Sequence, residues 1–247
     1  NETLWDQLQY NLPAQMSLND KVRAQNISLS LPLLSQGIPF LQMGSDLIRS
    51  KSMDRNTYDA GDWFNRIDFN QTQSNWNIGL PLAQDNQTKW STISGISANA
   101  NNAFSAQDIN LTSALFKEFI NIRATSKLFR LTTAEQVSNR IKFHNVGTEQ
   151  RQGLVVMSLD DGLGLADLDP ENDAIVVLFN GTSSEQTFSV ANASNFELHQ
   201  NQQSSADTRV QTASFNNGNF VVPALTTAVF VKPQGEVQGF GLSALPA

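Results

Sequence analysis

The 247 residues contain no cysteine, which excludes disulfides, thiol nucleophiles and zinc–thiolate sites together. Charge is scarce as well: charged residues make up 16%, and 16 Lys and Arg stand against 23 Asp and Glu, a formal net charge of −7. With no basic cluster, the surface lacks the positive field that a polyphosphate chain requires, so nucleic acid is not an expected partner. No apolar run reaches the roughly 20 residues of a bilayer-spanning helix, so no membrane span is expected. No charged-then-apolar leader opens the sequence, and Asn1 is not expected to be a natural secretory start. Histidine is nearly missing: His144 and His199 have no second His or Cys at ligand spacing and read as surface or hydrogen-bonded residues.

What is present is a chain long enough for one large domain or two small ones, with 40% hydrophobic residues to build a core. Asn, Gln, Ser and Thr are abundant, and neutral hydrogen-bonding groups suit a sugar partner without identifying one. The Asn-x-Ser/Thr triplets at Asn70, Asn86, Asn110, Asn180 and Asn192 follow from that composition and read as chance.

Periodicity predicts a helix from about 17 to 35, with Ser17 and Asp20 placed as a capping box, Leu18, Val22, Ile27, Leu31 and Leu34 on one face, and Gly37 ending it. The apolar run 38–43, bounded by Gly37 and Gly44, reads as one buried strand. From 44 to about 107 there is little periodicity, and a loop of that length rich in Trp, Tyr, Asp, Asn and Arg reads as functional. A second helix is expected from about 109 to 129. A single strand has nothing to pair with, so the first half is expected to be an incomplete fold. From about 137 the pattern becomes short strand-like runs at 140–146, 154–159, 174–179, 187–190, 196–199, 208–215, 219–222 and 227–231, which suggests a sandwich. Asn180-Gly181 and Asn217-Gly218 are the expected tight turns, and the tail from Pro233 reads as loose.

The segment Gly37-Ile38-Pro39-Phe40-Leu41-Gln42-Met43-Gly44-Ser45-Asp46 is similar to the eighth barrel strand of alpha-amylase-type enzymes. Its continuation, Leu47 to Ser52 and then Tyr58-Asp59-Ala60-Gly61-Asp62-Trp63-Phe64-Asn65-Arg66-Ile67-Asp68, closely resembles the loop after that strand in pullulanases and limit dextrinases. Ile122-Arg123 resembles the Leu-Arg pair of the last barrel helix, with Lys127 where those proteins have proline, and Asp46 stands where they often have Glu. Asn1-Glu2-Thr3-Leu4-Trp5-Asp6 looks like the residues that follow the His-Asp pair of the last catalytic motif.

The resemblance implies α/β followed by all-β: the C-terminal remnant of a (β/α)8 barrel over 1–135, then an antiparallel β-sandwich over 136–247. It implies a bacterial debranching hydrolase, extracellular or on the cell surface, that cleaves α-1,6-glucosidic bonds in pullulan, amylopectin or limit dextrins with retention. All three catalytic carboxylates are expected upstream, in a missing N-terminal part of the same enzyme, so the chain alone is expected to be inactive. The two rival readings are an isoamylase-like relative and a non-catalytic carbohydrate-binding sandwich.

Retaining hydrolysis needs two carboxyl groups about 5 Å apart across the sugar ring, and no motif here announces such a pair. Asp59 and Asp62 are not that pair, because one short loop lies on one side of any substrate. The candidate substrate-binding residues are Asp62 and Arg66, then Tyr58, Asp59, Trp63 and Asn1. A carboxylate accepts sugar hydroxyl protons, a guanidinium donates a planar fork, and an aromatic face stacks on the sugar's aliphatic hydrogens. The alternative for Asp62 and Arg66 is an ion pair that only holds the loop, and for Trp63 and Phe64 it is packing. Trp76 and Trp90 are candidates for outer subsites. The acidic run Asp167, Asp169, Glu171, Asn172 and Asp173 lacks the loop glycine and distal Glu of a calcium loop and reads as a solvated turn. No cofactor is expected in this chain, and any calcium belongs to the parent enzyme.

Overall fold

The computed structural model describes residues 2–242, so the candidate Asn1 lies outside the described residues. Helix α1 (Leu4–Asn11) starts where the Thr3 hydroxyl accepts from the Asp6 amide at 3.3 Å, satisfying one of the free donors of a helix start. Helix α2 (Leu18–Leu34) begins at the expected capping pair: the Ser17 hydroxyl accepts from the Asp20 amide at 3.2 Å and donates to its carboxylate at 2.9 Å. It carries Pro32 two residues before its end, and the Arg123 guanidinium donates to the carbonyls of Leu33 (2.9 Å) and Ser35 (2.7 Å) that the helix leaves unpaired. Gly37 follows at φ +85°.

Residues 38–43 do not form the expected strand. Ile38, Phe40 and Met43 are 89%, 94% and 67% exposed, and no strand precedes Ile141 among the described residues. A strand exists only through its ladder, and here there is no neighbour to supply one. Within the described residues the first half is therefore helical rather than α/β.

The expected loop from 44 to 107 is not featureless. It holds 3-10 turns at Ser45–Leu47, Asp62–Asn65, Gln87–Lys89 and Ala100–Asn102, together with α3 (Ala83–Asn86) and α4 (Trp90–Ser97). Elements of three to eight residues repeat too few positions to register as periodicity. Helix α5 (Ala106–Thr125) starts three residues before Ile109, because the Ser105 hydroxyl and amide both bond the Asp108 carboxylate at 2.8 Å. It stops at Thr125 rather than 129, where the Ser126 hydroxyl accepts from the Leu128 amide and opens a 3-10 turn. A further helix, α6 (Ala134–Arg140), occupies what read as the approach to the first strand.

Eight strands follow among the described residues: β1 (Ile141–Phe143), β2 (Leu154–Asp160), β3 (Asn172–Asn180), β4 (Gln186–Ser189), β5 (Glu197–Leu198), β6 (Ser214–Asn216), β7 (Asn219–Val222) and β8 (Thr226–Pro233), with α7 (Gln200–Gln203) after β5. Every pair is antiparallel, in two sheets ordered β1-β2-β3-β8-β5 and β4-β7-β6. The run 208–215 is split, a 3-10 turn at Val210–Thr212 and then β6. β3 is apolar without alternation because it lies in the middle of the larger sheet and is buried on both faces. Both sheets share one core, where Phe220 packs against Phe196, Phe215 and Phe230 at ring separations of 5.0, 4.7 and 5.3 Å.

Asn217 (φ +47°) and Gly218 (φ +80°) make the β6–β7 turn as expected. Asn180-Gly181 does not turn in that way: Asn180 ends β3 with its side chain buried, and the Gly181 amide donates to the Gly153 carbonyl at 2.8 Å. The tail is held rather than loose through Leu242, with the Gly239 amide on the Asp173 carboxylate at 2.7 Å and Leu242 in the core. Contacts divide the described chain into two compact units, one of residues 2–29 and 40–116, the other of 30–39 and 117–242.

Candidate functional site

The first unit is built on Trp5, buried with Val22, Leu47, Ile48 and Ile109. Phe104 and Trp76 pack edge-on against Trp5 at 5.0 and 6.3 Å, so the partly buried Trp76 has a packing role beside this core. Trp90 is half-buried and donates its indole N–H to the Pro81 carbonyl at 2.7 Å.

Asp6 fastens the long loop to α1. Its buried carboxylate accepts from the Ser50 hydroxyl at 2.5 Å and the Lys51 amide at 2.9 Å. Burial pushes this carboxyl above the ordinary carboxylate range, and those hydrogen bonds pull against the rise. Burial likewise lowers the Lys51 ammonium, opposed by the charges of Asp54 and Asp6. Further along, the Asp54 carboxylate accepts from the Asn56 amide and from the Asn86 side chain, both at 2.9 Å. Asn86 and Asn180 are both buried, so neither can carry a glycan.

On this base sits the 3-10 turn Asp62–Asn65, entered through Gly61 at φ +84°. Asp62, Trp63, Asn65 and Arg66 line a shallow cavity of about 420 Å³. Asp62 and Arg66 are exposed, and their side chains make no ion pair or hydrogen bond among the described residues, so the loop-holding pair is not what the geometry shows. Trp63 is 47% exposed, with its ring centre 3.9 Å from that of the fully buried Phe64. The two aromatic roles are thus divided: Phe64 packs, and Trp63 presents a supported ring to solvent. The set offers an acceptor, a donor fork and an aromatic surface in one place, which is the chemistry a sugar ring takes.

The structure does not bring every candidate there. Tyr58 is 88% exposed and Asp59 sits exposed at φ +57°, and neither lines the cavity. Asn65 is an addition. Its carbonyl and side-chain oxygens accept from the Arg49 guanidinium at 3.3 and 3.2 Å, and the Thr57 hydroxyl donates to the side-chain oxygen at 3.2 Å. It lies inside the motif that pointed to the loop, between two singled-out residues. Asn75 is a second addition: its amide nitrogen lies 2.9 Å from the Trp63 carbonyl and 3.1 Å from those of Phe64 and Arg66. No sequence signal marks it.

In the second unit, His199 is buried with Nδ1 accepting from the Asn201 amide at 3.1 Å, and the His144 Nε2 lies 2.8 Å from the Ser158 hydroxyl. Burial holds both imidazoles below their usual value. The acidic run is not a solvated turn: Asp169 and Asp173 are buried, Asp169 accepting from the Glu171 amide and the Asn172 side chain and Asp173 from the Gly239 amide.

A family model described as alpha-1,6-glucosidases, pullulanase-type, C-terminal, matches residues 71–233. The chain belongs to this pullulanase-type family. A chloroplastic pullulanase of Arabidopsis thaliana is 38% identical over 94% of this chain, and a Klebsiella pneumoniae pullulanase is 36% identical over 98% of it. A solved structure of Klebsiella pneumoniae pullulanase in complex with maltotriose covers 100% of the chain at 34% identity, with a TM-score of 0.92. The chain spans about a quarter of these pullulanases, 25%, 22% and 27% of their lengths. A Paenibacillus barengoltzii pullulanase at 19% identity and TM-score 0.63 shares the fold. No described helix is long and apolar enough to cross a membrane.

Proposed function

We propose that this chain is the C-terminal part of a debranching glycoside hydrolase that cleaves α-1,6-glucosidic bonds in pullulan, amylopectin and limit dextrins with retention. On this reading residues 1–135 complete a (β/α)8 barrel and residues 136–247 form the C-terminal sandwich domain. The supporting observation for the barrel is the segment 38–43, where Ile38, Phe40 and Met43 are exposed, as apolar side chains waiting for neighbours on the same polypeptide would be. The catalytic carboxylates then belong to the preceding part of the enzyme, since the loop after the last barrel strand rims the mouth. The substrate is a polymer too large to cross a membrane, which favours work outside or on the surface of a bacterial cell.

The observation that carries the functional reading is the cavity of Asp62, Trp63, Asn65 and Arg66 in a chain of this family. In the complete enzyme it binds glucose units away from the reacting carbon, with Tyr58, Asp59 and Asn1 as further contacts. Such remote contacts hold the glucan in register and contribute to the transition state through orientation. Replacing Arg66 by Ala removes a charge-assisted hydrogen bond worth about 1.5–3 kcal/mol, a loss of roughly ten- to a hundred-fold in kcat/KM on long branched substrates. A short substrate that cannot reach the loop loses much less. Equal loss on both, or a fall in Tm large enough to explain it, would return Arg66 to a structural role.

A further inference from the structure

We propose that Asn75 is the positioning residue for Asp62 and Arg66, a role that rests on the reading of their cavity as a glucan site. The 3-10 turn Asp62–Asn65 is one short element, and its last carbonyls have no partner within it. The Asn75 amide supplies one: a single nitrogen faces the carbonyls of Trp63, Phe64 and Arg66 at 2.9, 3.1 and 3.1 Å. Two N–H bonds serve three acceptors, so at least one is shared. Asn75 is 3% exposed and does not line the cavity, so it acts on a sugar only through the turn.

The charged side chains themselves depend on that turn. Asp62 and Arg66 make no side-chain hydrogen bond or ion pair among the described residues, so nothing but their backbone aims them. The residue after Asn75 is Trp76, packed edge-on against the buried Trp5. Rigidity therefore passes from the Trp5 core to Asn75, from its amide to three carbonyls, and from those to the two groups that meet the sugar.

The test is a double-variant cycle on pullulan with the complete enzyme. Asn75→Ala, and the isosteric Asn75→Asp that turns a donor into an oxygen facing three carbonyl oxygens, should each lower kcat/KM about ten-fold. In an Arg66→Ala background the same change should cost about two-fold or less, because the group it aims is already gone. In the 247-residue chain, backbone order parameters over residues 62–66 should fall below about 0.6 in Asn75→Ala while the rest of the unit stays near 0.85. An equal loss in both backgrounds, no loss in either, or an unchanged turn would overturn the proposal. A silent Arg66→Ala would sink the glucan reading instead, and the order parameters would then decide whether Asn75 sets the turn at all.

Discussion

At the scale of single residues, the site was partly legible because a few side chains carry distinctive chemistry in a distinctive order. Asp62, Trp63 and Arg66 fall in one resemblance-bearing run, and the structure gathers them around one cavity. Tyr58 and Asp59 belong to the same run yet point to no shared cavity, since the run changes direction at Asp59 and Gly61, both at positive φ. Asn75 was illegible: in a loop crowded with Asn and Gln, only three-dimensional placement separates the residue that holds three carbonyls from those that face water. The histidines carry a pH prediction of their own. His199 is neutral in the fold and its pKa is lowered by burial, so between its depressed value and about 6.5 the unfolded chain binds more protons. Its contribution is present above about 6.5 and is lost as pH falls, at no more than about 1.4 kcal/mol per pH unit. His199→Asn keeps an acceptor for the Asn201 amide and removes the titration. Its Tm should therefore fall less than that of the parent chain between pH 7 and 5, and parallel falls would show that His199 carries no such linkage.

At the scale of elements, long periodic segments were legible and short or context-dependent ones were not. α2 was readable from its capping pair and apolar face, and β7 from its four residues between clear turns. The 38–43 run has strand composition, but strand formation is a property of pairs, and no segment pairs with it among the described residues. Asn180-Gly181 and Asn217-Gly218 are the same dipeptide with different outcomes: one closes a hairpin, while the other places a buried Asn at a strand end whose amide donates to the Ser184 and Pro223 carbonyls at 2.8 Å. The true turn can be tested. Gly218 lies at φ +80°, and a Cβ there would sit 2.8 Å from the Val190 carbonyl oxygen, so Gly218→Ala should destabilise by about 1–3 kcal/mol. At roughly 2–4 °C per kcal/mol for a chain of this size, Tm should drop by several degrees. An unchanged Tm would mean that the turn relaxes freely.

At the scale of the whole molecule, the proposed function divides labour between this chain and the rest of a longer enzyme. The family match covers residues 71–233 and the relatives are about four times as long, and the proposed function places bond cleavage outside this chain. What this chain holds is a fastened loop with an acceptor, a guanidinium and a supported indole, and two antiparallel sheets around a phenylalanine core. The most direct measurement is reducing-end release from pullulan by the purified 247-residue chain, set beside the complete enzyme. No opposed acid and nucleophile are available from the loop carboxylates, so the chain alone should give no release above buffer while the complete enzyme turns over. Turnover by the pure chain would contradict the account.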